Sequence, residues 1–154
     1  MESVWNESVS LPRYSRLRGN IKTDVLIIGG GLSGVLCSYL LKEKGVESVV
    51  LESRNICGGI TKNSTAKITS QHGLIYAKLL KALGKEKAQM YLQSNENALH
   101  AYEEMAKEIP CDFEEHSHTV YSRQDLHTLE EELAVLSKLN YPAELAGGLP
   151  LSFP

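Results

Sequence analysis

The sequence contains few cysteines, and no pattern links them to each other or to a metal. Its 154 residues include three cysteines, Cys37, Cys57 and Cys111, without a CxxC pair. An odd number without paired spacing indicates neither a disulfide framework nor a zinc site. We therefore expect no metal ligands, and a reducing cytoplasm is the simplest location for such a chain.

Positive charge is also neither abundant nor clustered. The formal net charge is −3, and the basic residues are scattered along the chain. Nucleic-acid binding requires clustered Lys and Arg that neutralise phosphates. We therefore expect no nucleic-acid partner.

The sequence lacks a hydrophobic run long enough to cross a membrane. Residues 25–41 carry no charge, but this run is only 17 residues long and contains Gly29, Gly30 and Gly31 in succession. A membrane helix needs about 20 mostly apolar residues, and a glycine inside a helix costs about 1 kcal/mol relative to alanine. The run is predicted to break at the glycines, with no transmembrane segment.

Different periodicities flank these glycines. Residues 25–28 are continuously apolar and mostly β-branched, as is typical of a buried parallel strand. After the glycines the pattern is that of an amphipathic helix, and the run "VESVVLE" then predicts a second strand. The helix stripe consists of Leu32, Val35, Leu36, Tyr39 and Leu40. The sequence therefore predicts an α/β fold that begins with a βαβ unit.

The junction between the first strand and the helix carries a GxGxxG motif at Gly29, Gly31 and Gly34. These glycines permit a tight turn, a close approach of pyrophosphate and close helix–strand packing. Glu52 ends the second strand, where an acid accepts hydrogen bonds from ribose hydroxyls and repels the 2′-phosphate of NADP. The combination favours a dinucleotide site over a purely structural turn.

The segment that follows, "SRNICGGITKNSTAK" at residues 53–67, favours FAD over NAD. An NAD domain would normally continue into another helix, whereas this stretch is rich in Gly, Asn and hydroxyl residues. Such a stretch can wrap a long polar ligand with amides and hydroxyls. An ordinary polar loop is the alternative, although long loops without their own structure are usually functional.

Together, the strand, the GxGxxG, the strand ending in Glu and the polar loop resemble the start of the D-amino acid oxidase family of FAD-dependent oxidoreductases. The "SVW" at residues 3–5, with Pro12, Leu17, Gly19 and Asp24, resembles the lead-in of bacterial members that often carry a Rieske iron–sulfur domain. This chain shows no Rieske-type Cys/His pairs. The resemblance extends from residue 3 to about 75 and is loose thereafter.

The resemblance implies a Rossmann-like FAD-binding unit and a small-molecule substrate, an amine or amino acid, oxidised by hydride transfer to flavin N5. Some relatives attach the flavin through a His where this chain has Lys67, so a non-covalent FAD is implied. The implied cofactor-binding residues are Gly29, Gly31, Ser33 and Gly34 at the pyrophosphate, Glu52, Ser53 and Arg54 at the adenosine, and Thr61, Lys62, Thr65, Ala66 and Lys67 along the ribityl chain. The catalytic residues are unknown.

Residues 1–72 are expected to form the amino-terminal part of the FAD-binding domain, and residues 73–154 the start of an α+β substrate domain. In the second part the pattern predicts a helix that stops at Gly84 and another from Lys85 to Ile109. Two short strands joined near Ser117, a helix capped by Ser122 and a further strand at 141–145 are expected to follow. In that last helix the apolar stripe is Leu126, Leu129, Leu133 and Leu136, above a solvated run of Glu130, Glu131 and Glu132.

Enzymes of this family run to more than twice the length of this chain, which therefore resembles an amino-terminal fragment with an incomplete sheet. Alone it is expected to be inactive, and to self-associate through exposed sheet edges. Two alternatives stay open. One is an NAD-linked dehydrogenase domain, and the other is a non-catalytic nucleotide-binding or assembly module.

Overall fold

The computed structural model describes residues 10–147, a mixed α/β arrangement with one small parallel sheet. The elements are β1 (Val25–Ile28), α1 (Leu32–Glu43), β2 (Ser48–Leu51), a 3-10 turn (Thr61–Asn63), α2 (Tyr76–Ala106) and α3 (Leu126–Lys138). β1 and β2 pair in parallel from Val25 opposite Ser48 to Ile28 opposite Leu51. The predicted strand–helix–strand order and the α/β class are confirmed.

The chain divides into two compact units between Lys67 and Ile68. The domain boundary expected from the sequence, between residues 72 and 73, falls five residues later, and the assignment of the second part to a substrate domain remains a prediction. Among the described residues, no helix is long and apolar enough to cross a membrane.

In the first unit, small side chains bring α1 close to the sheet. Gly34 lies against Ile27, so that a Cβ built on Gly34 would be 3.4 Å from the Ile27 Cγ2. The hydroxyls of Ser38 and Ser48 share a hydrogen bond of 3.1 Å. The apolar stripe seen in the sequence is mostly exposed, at Leu32, Val35, Tyr39 and Leu40. The helix is therefore apolar on faces that the two strands do not cover.

Among the described residues, the buried hydrophobic core lies in the second unit. α2 bends at Gly84, whose φ of 80° and ψ of 170° are not helical. The predicted break between two helical segments is thus confirmed at this glycine, although the second segment ends at Ala106 rather than Ile109. The core residues are Tyr76, Ala88, Leu92, Val135, Leu136 and Leu139.

A buried carboxylate joins α3 to the start of α2. Glu132 is 2% exposed, and its two oxygens accept hydrogen bonds from the backbone amides of Tyr76 at 2.8 Å and Ala77 at 2.7 Å. The first amides of a helix have no acceptor within the helix, and a negative charge is favourable at that end. The expectation that Glu132 is solvated is therefore wrong, because this side chain caps α2.

Tyr76 is the second polar link in this core. Its hydroxyl donates to the carbonyl of Ser70 at 2.6 Å, and the Ser70 hydroxyl shares a hydrogen bond of 3.1 Å with the hydroxyl of Tyr141. Burial raises the pKa of Tyr76 to about 12. The phenol therefore stays neutral and keeps its hydrogen bond throughout the physiological pH range.

The expected strands of the second unit are not formed. Residues 111–121 and 141–145 contain no strand. Every residue from 111 to 127 is exposed, so a hairpin there would bury neither face, and an isolated hairpin is at best marginally stable in water. The prediction failed because local β propensity had no packing partner.

The start of α3 also differs from the prediction. Its cap is Asp125, whose side chain accepts from the Thr128 amide at 2.9 Å, and not Ser122. The Ser122 hydroxyl instead accepts from the Asp125 amide at 2.9 Å and fixes the preceding turn. The hydroxyl and amide of Thr128 hold the pKa of Asp125 below its usual value, so the cap stays ionised at neutral pH.

Removal of the Glu132 carboxylate is expected to destabilise the second unit. Glu132→Ala leaves the Tyr76 and Ala77 amides without acceptors and should lower the free energy of unfolding by about 3 kcal/mol, as expected for hydrogen bonds to a charged group. Urea denaturation followed by circular dichroism measures this. The matched control is the exposed Glu131→Ala, expected to change the free energy by less than about 0.5 kcal/mol. Equal urea midpoints for the two variants would contradict the capping role.

Candidate nucleotide-binding site

The glycine-rich turn begins directly at the end of β1. The Gly29 amide donates to the carbonyl of Leu51 at 2.8 Å and so extends the pairing with β2 by one residue. Gly29 has a φ of +106°, a conformation that side-chain-bearing residues rarely adopt. Gly31 is the residue that caps α1, and no side chain caps the helix from that position. The chain thus turns from strand into helix within three residues.

Gly34 lies in the first turn of α1, directly against this glycine-rich turn. A Cβ built on Gly34 would lie 1.9 Å from the carbonyl oxygen of Gly29. No rotation of a side chain relieves such a contact, because the obstacle is backbone. Only glycine at position 34 lets the amino terminus of α1 approach the end of β1 so closely.

Gly30, to which the sequence interpretation gave no role, is buried inside the turn. A Cβ there would meet the Ile56 Cδ1 at 2.5 Å and the Glu52 Cβ at 3.1 Å. The Gly30 carbonyl accepts a hydrogen bond of 2.7 Å from the Cys57 amide. The sequence signal for the role of Gly30 was the run of three consecutive glycines, because a GxGxxG motif does not require glycine at its second position.

Glu52 follows β2 directly and reaches the glycine turn. Its Oε2 accepts from the Gly30 amide at 2.9 Å, and its Oε1 accepts from the Arg54 amide at 2.9 Å and the Ser53 hydroxyl at 3.2 Å. The Gly30 amide, followed by that of Arg54, holds the pKa of this carboxyl below its usual value of 4.5. Glu52 is therefore a carboxylate at neutral pH, and it stabilises the turn in addition to any contact with ligand.

An open cavity of about 520 Å³ lies at the carboxyl end of β1 and the amino end of α1. The amides of Ser33 and Gly34 precede the first helical hydrogen bond, which Val35 donates to Gly31, so they have no acceptor within the helix. The helix dipole makes this end partially positive. The lining consists of Ile27, Ile28, Gly29, Gly31, Leu32, Ser33, Gly34, Cys37 and Thr61.

The loop at residues 53–67 contains neither an α-helix nor a strand, only the 3-10 turn. Thr61 lines the cavity, and its Oγ1 accepts a hydrogen bond of 3.1 Å from the Leu32 amide. The Lys62 amide donates to the carbonyl of Cys57 at 3.2 Å. Thr61 thereby attaches the first half of the loop to the start of α1, and the Cys57–Gly30 hydrogen bond attaches it to the glycine turn.

The remaining expected residues lie elsewhere in the first unit. Ser53 and Arg54 are exposed beside Glu52, and Thr65, Ala66 and Lys67 are exposed outside the cavity lining. The structure therefore brings the four pyrophosphate candidates together with Thr61, but it does not place the last three residues of the loop there.

The histidines show no metal site. His116 contacts Glu114 at 2.7 Å, and the His72 Nε2 lies 3.2 Å from the Asn95 Oδ1 within the second unit. Within residues 10–147, no group of three or more His, Cys, Asp and Glu side chains is placed to hold a metal ion.

Comparison with known proteins identifies relatives of this chain. Residues 24–149 match the DAO family model, described as FAD dependent oxidoreductase. A Bacillus subtilis (strain 168) protein named "Putative Rieske 2Fe-2S iron-sulfur protein YhfW" is 31% identical over 157 residues, which cover 97% of this chain and 30% of that protein. The chain thus spans about a third of the length of this relative.

Shorter matches are found with proteins named flavin-containing amine oxidases. A flavin-containing amine oxidase of Oncorhynchus mykiss is 58% identical over 38 residues, or 25% of this chain and 7% of that protein. Flavin-containing amine oxidase B of Cavia porcellus is 48% identical over 42 residues, or 27% of this chain and 8% of that protein. No solved structure matches the chain significantly.

The family model covers most of the chain, and the Bacillus relative aligns over nearly all of it. The resemblance drawn from the glycine motif, Glu52 and the polar loop is thereby confirmed. The chain belongs to the DAO family of FAD-dependent oxidoreductases.

Proposed function

We propose that the chain is the amino-terminal FAD-binding portion of an enzyme that oxidises an amine or an amino acid. The observation that carries the proposal is the cavity at the junction of β1 and α1, bounded by glycine backbone and by Thr61. The matches to proteins named flavin-containing amine oxidases support an amine as the substrate class. Substrate binding and turnover are assigned to the longer protein, since this chain spans 30% of the Bacillus relative.

The residues present fit the pyrophosphate and adenosine of FAD. A Cβ on Gly29 would meet no atom within 4 Å, and one on Gly31 would meet only Thr61 at 3.4 Å. Side chains at these two positions would therefore project into space that a phosphate can use. The Ser33 and Gly34 amides offer donors for an anion, and Glu52 offers acceptors for a ribose hydroxyl.

The chemistry that FAD supplies when bound is acceptance of a hydride from the carbon that bears the substrate nitrogen. The residues of this chain bind and orient the cofactor. The amino end of α1 holds negative charge, and Glu52 holds the adenosine ribose. With Lys67 in place of a His, we propose that these contacts retain FAD without a covalent bond.

FAD binding is the direct test of this proposal. The purified chain is titrated with FAD, and flavin fluorescence quenching gives the affinity. Gly34→Ala is expected to weaken binding by more than about tenfold, because its Cβ would push α1 away from Gly29 and displace the phosphate-binding amides. The matched control is Gly147→Ala, where a Cβ meets no atom within 4 Å and FAD affinity should not change.

Preferential binding of NAD would support the dehydrogenase alternative. If neither dinucleotide binds, and circular dichroism shows that the chain is folded, the proposed function is wrong. Equal loss of affinity in both glycine variants would show that the cavity is not the binding site.

Glu52 is expected to select against a 2′-phosphate on the adenosine ribose. The probes are ADP-ribose and 2′-phospho-ADP-ribose, measured by isothermal titration calorimetry at pH 7. The chain should prefer ADP-ribose by roughly tenfold or more because of like-charge repulsion. Glu52→Gln has nearly the same shape without the charge, and should reduce this preference to near unity.

The pH dependence gives an independent check on Glu52. Its pKa lies below the usual 4.5, so the carboxylate is the populated form above that value and its contribution is lost only as the pH falls through the lowered pKa. Affinity for ADP-ribose should therefore stay constant from about pH 8 to about pH 5. A decline centred near pH 6 would show that another group controls ribose binding.

We also propose that the chain alone self-associates through the first unit. Leu26 and Ile28 are 52% and 85% exposed on β1, although parallel strands are normally covered on both faces. Light scattering should therefore show particles larger than a monomer. Leu26→Lys with Ile28→Lys should shift the population towards monomer, whereas a monodisperse monomer of the unsubstituted chain would refute the proposal.

A further inference from the structure

Two buried polar atoms of the second unit have no hydrogen-bond partner among the described residues. They are the side-chain Nε2 of Gln71 and the Oε1 of Glu96. The first is a donor and the second an acceptor. A buried polar group without a partner costs the free energy of its desolvation, and native structures leave few such groups. The pair therefore requires a physical explanation.

The two atoms belong to segments that are in contact. Glu96 lies four residues after the buried Leu92, and residues four apart share one face of a helix. Its neighbour Asn95 places its Oδ1 3.2 Å from the Nε2 of His72, the residue that follows Gln71. Glu96 is thus on the core-facing side of α2, and Gln71 is on the segment that contacts α2 there.

Tyr76 is close to both segments. Its hydroxyl donates to the carbonyl of Ser70, the residue before Gln71. Its ring meets that of Tyr91 edge to face, with centroids 6.1 Å apart. Burial, followed by the charges of neighbouring groups that include Glu96, raises the pKa of Tyr76 to about 12. Aromatic rings therefore border the same part of the core as the Glu96 carboxylate.

The Glu96 carboxylate has no cationic partner in the part of the chain that the structure describes. The ion pairs seen there join His and Lys side chains to other carboxylates. Glu132, the other inward-facing carboxylate, is held by two backbone amides. A water molecule would bridge a donor and an acceptor but would leave the negative charge uncompensated, which is unfavourable in a core. An ammonium group would satisfy the oxygen and neutralise the charge.

We propose that Glu96 and Gln71 form a binding site for a small molecule that carries an ammonium group and a neighbouring carbonyl or carboxylate oxygen. The ammonium pairs with Glu96, the oxygen accepts from the Gln71 amide, and aromatic rings nearby attract the cation. Gln71 and Glu96 are half-buried and Tyr91 is 38% exposed, so the site is accessible from solvent. It is built wholly from the second unit and does not rest on the proposed flavin binding.

Three probes of similar size separate the two contacts. Glycinamide carries both the ammonium and the carbonyl, ethylammonium carries only the cation, and acetamide carries only the carbonyl. Isothermal titration calorimetry at pH 7 gives their affinities for the whole chain. Glycinamide should bind about tenfold more tightly than ethylammonium, because of one additional hydrogen bond, and acetamide should bind most weakly.

Two substitutions that conserve side-chain shape assign the contacts. Glu96→Gln should weaken glycinamide and ethylammonium alike, by about tenfold or more, through loss of the ion pair. Gln71→Leu should reduce the affinity for glycinamide to that for ethylammonium and leave the latter unchanged. Glu86→Gln, at an exposed carboxylate of α2, is the matched control and should change neither affinity. Circular dichroism checks that each variant is folded.

Contrary results overturn the proposal in distinct ways. If no probe binds to the folded chain, the two atoms are bridged by water only. Binding that is unchanged in Glu96→Gln would place the amine elsewhere, and equal affinities for glycinamide and ethylammonium would remove Gln71 from the site. None of the probes contains a flavin or a nucleotide, so failure here and failure of the proposed function are distinguishable.

Discussion

The absence of Cβ atoms at Gly30 and Gly34 is the constraint on which the first unit depends. A Cβ at position 34 would lie 1.9 Å from a backbone oxygen, and one at position 30 would lie 2.5 Å from the Ile56 side chain. These two close approaches bring three separate segments to one turn: the amino end of α1, Glu52 at the end of β2, and the start of the polar loop. The first amides of α1, the Glu52 carboxylate and the Thr61 hydroxyl therefore have their positions fixed by the same packing.

Glu52 connects this packing to ligand chemistry. Its carboxylate accepts from the Gly30 and Arg54 amides and from the Ser53 hydroxyl, and a carboxylate has about four acceptor positions. One position therefore remains for a ribose hydroxyl, on the oxygen that Gly30 already contacts. Under the proposed function, a ribose at that oxygen lies directly beside the glycine turn, next to the amides proposed to hold the diphosphate.

The sequence predicted the first unit better than the second because the relevant interactions of the first unit are encoded locally. The glycine motif, the strand before it and the helix after it are consecutive in the chain. Glu132, by contrast, caps an amide 56 residues away, and nothing in the run of three glutamates indicates which of them turns inward. The expected hairpin near Ser117 failed for the same reason, since strand propensity does not reveal whether a partner surface exists.

The two units also derive stability from different sources. The second has a buried core around Tyr76 and Leu139, whereas none of the described apolar side chains of the first unit is fully buried. A ligand that binds only the folded state adds stability that rises with its concentration relative to its dissociation constant. Under the proposed function, FAD would therefore contribute proportionally more to the first unit, because little hydrophobic burial holds that unit together without it.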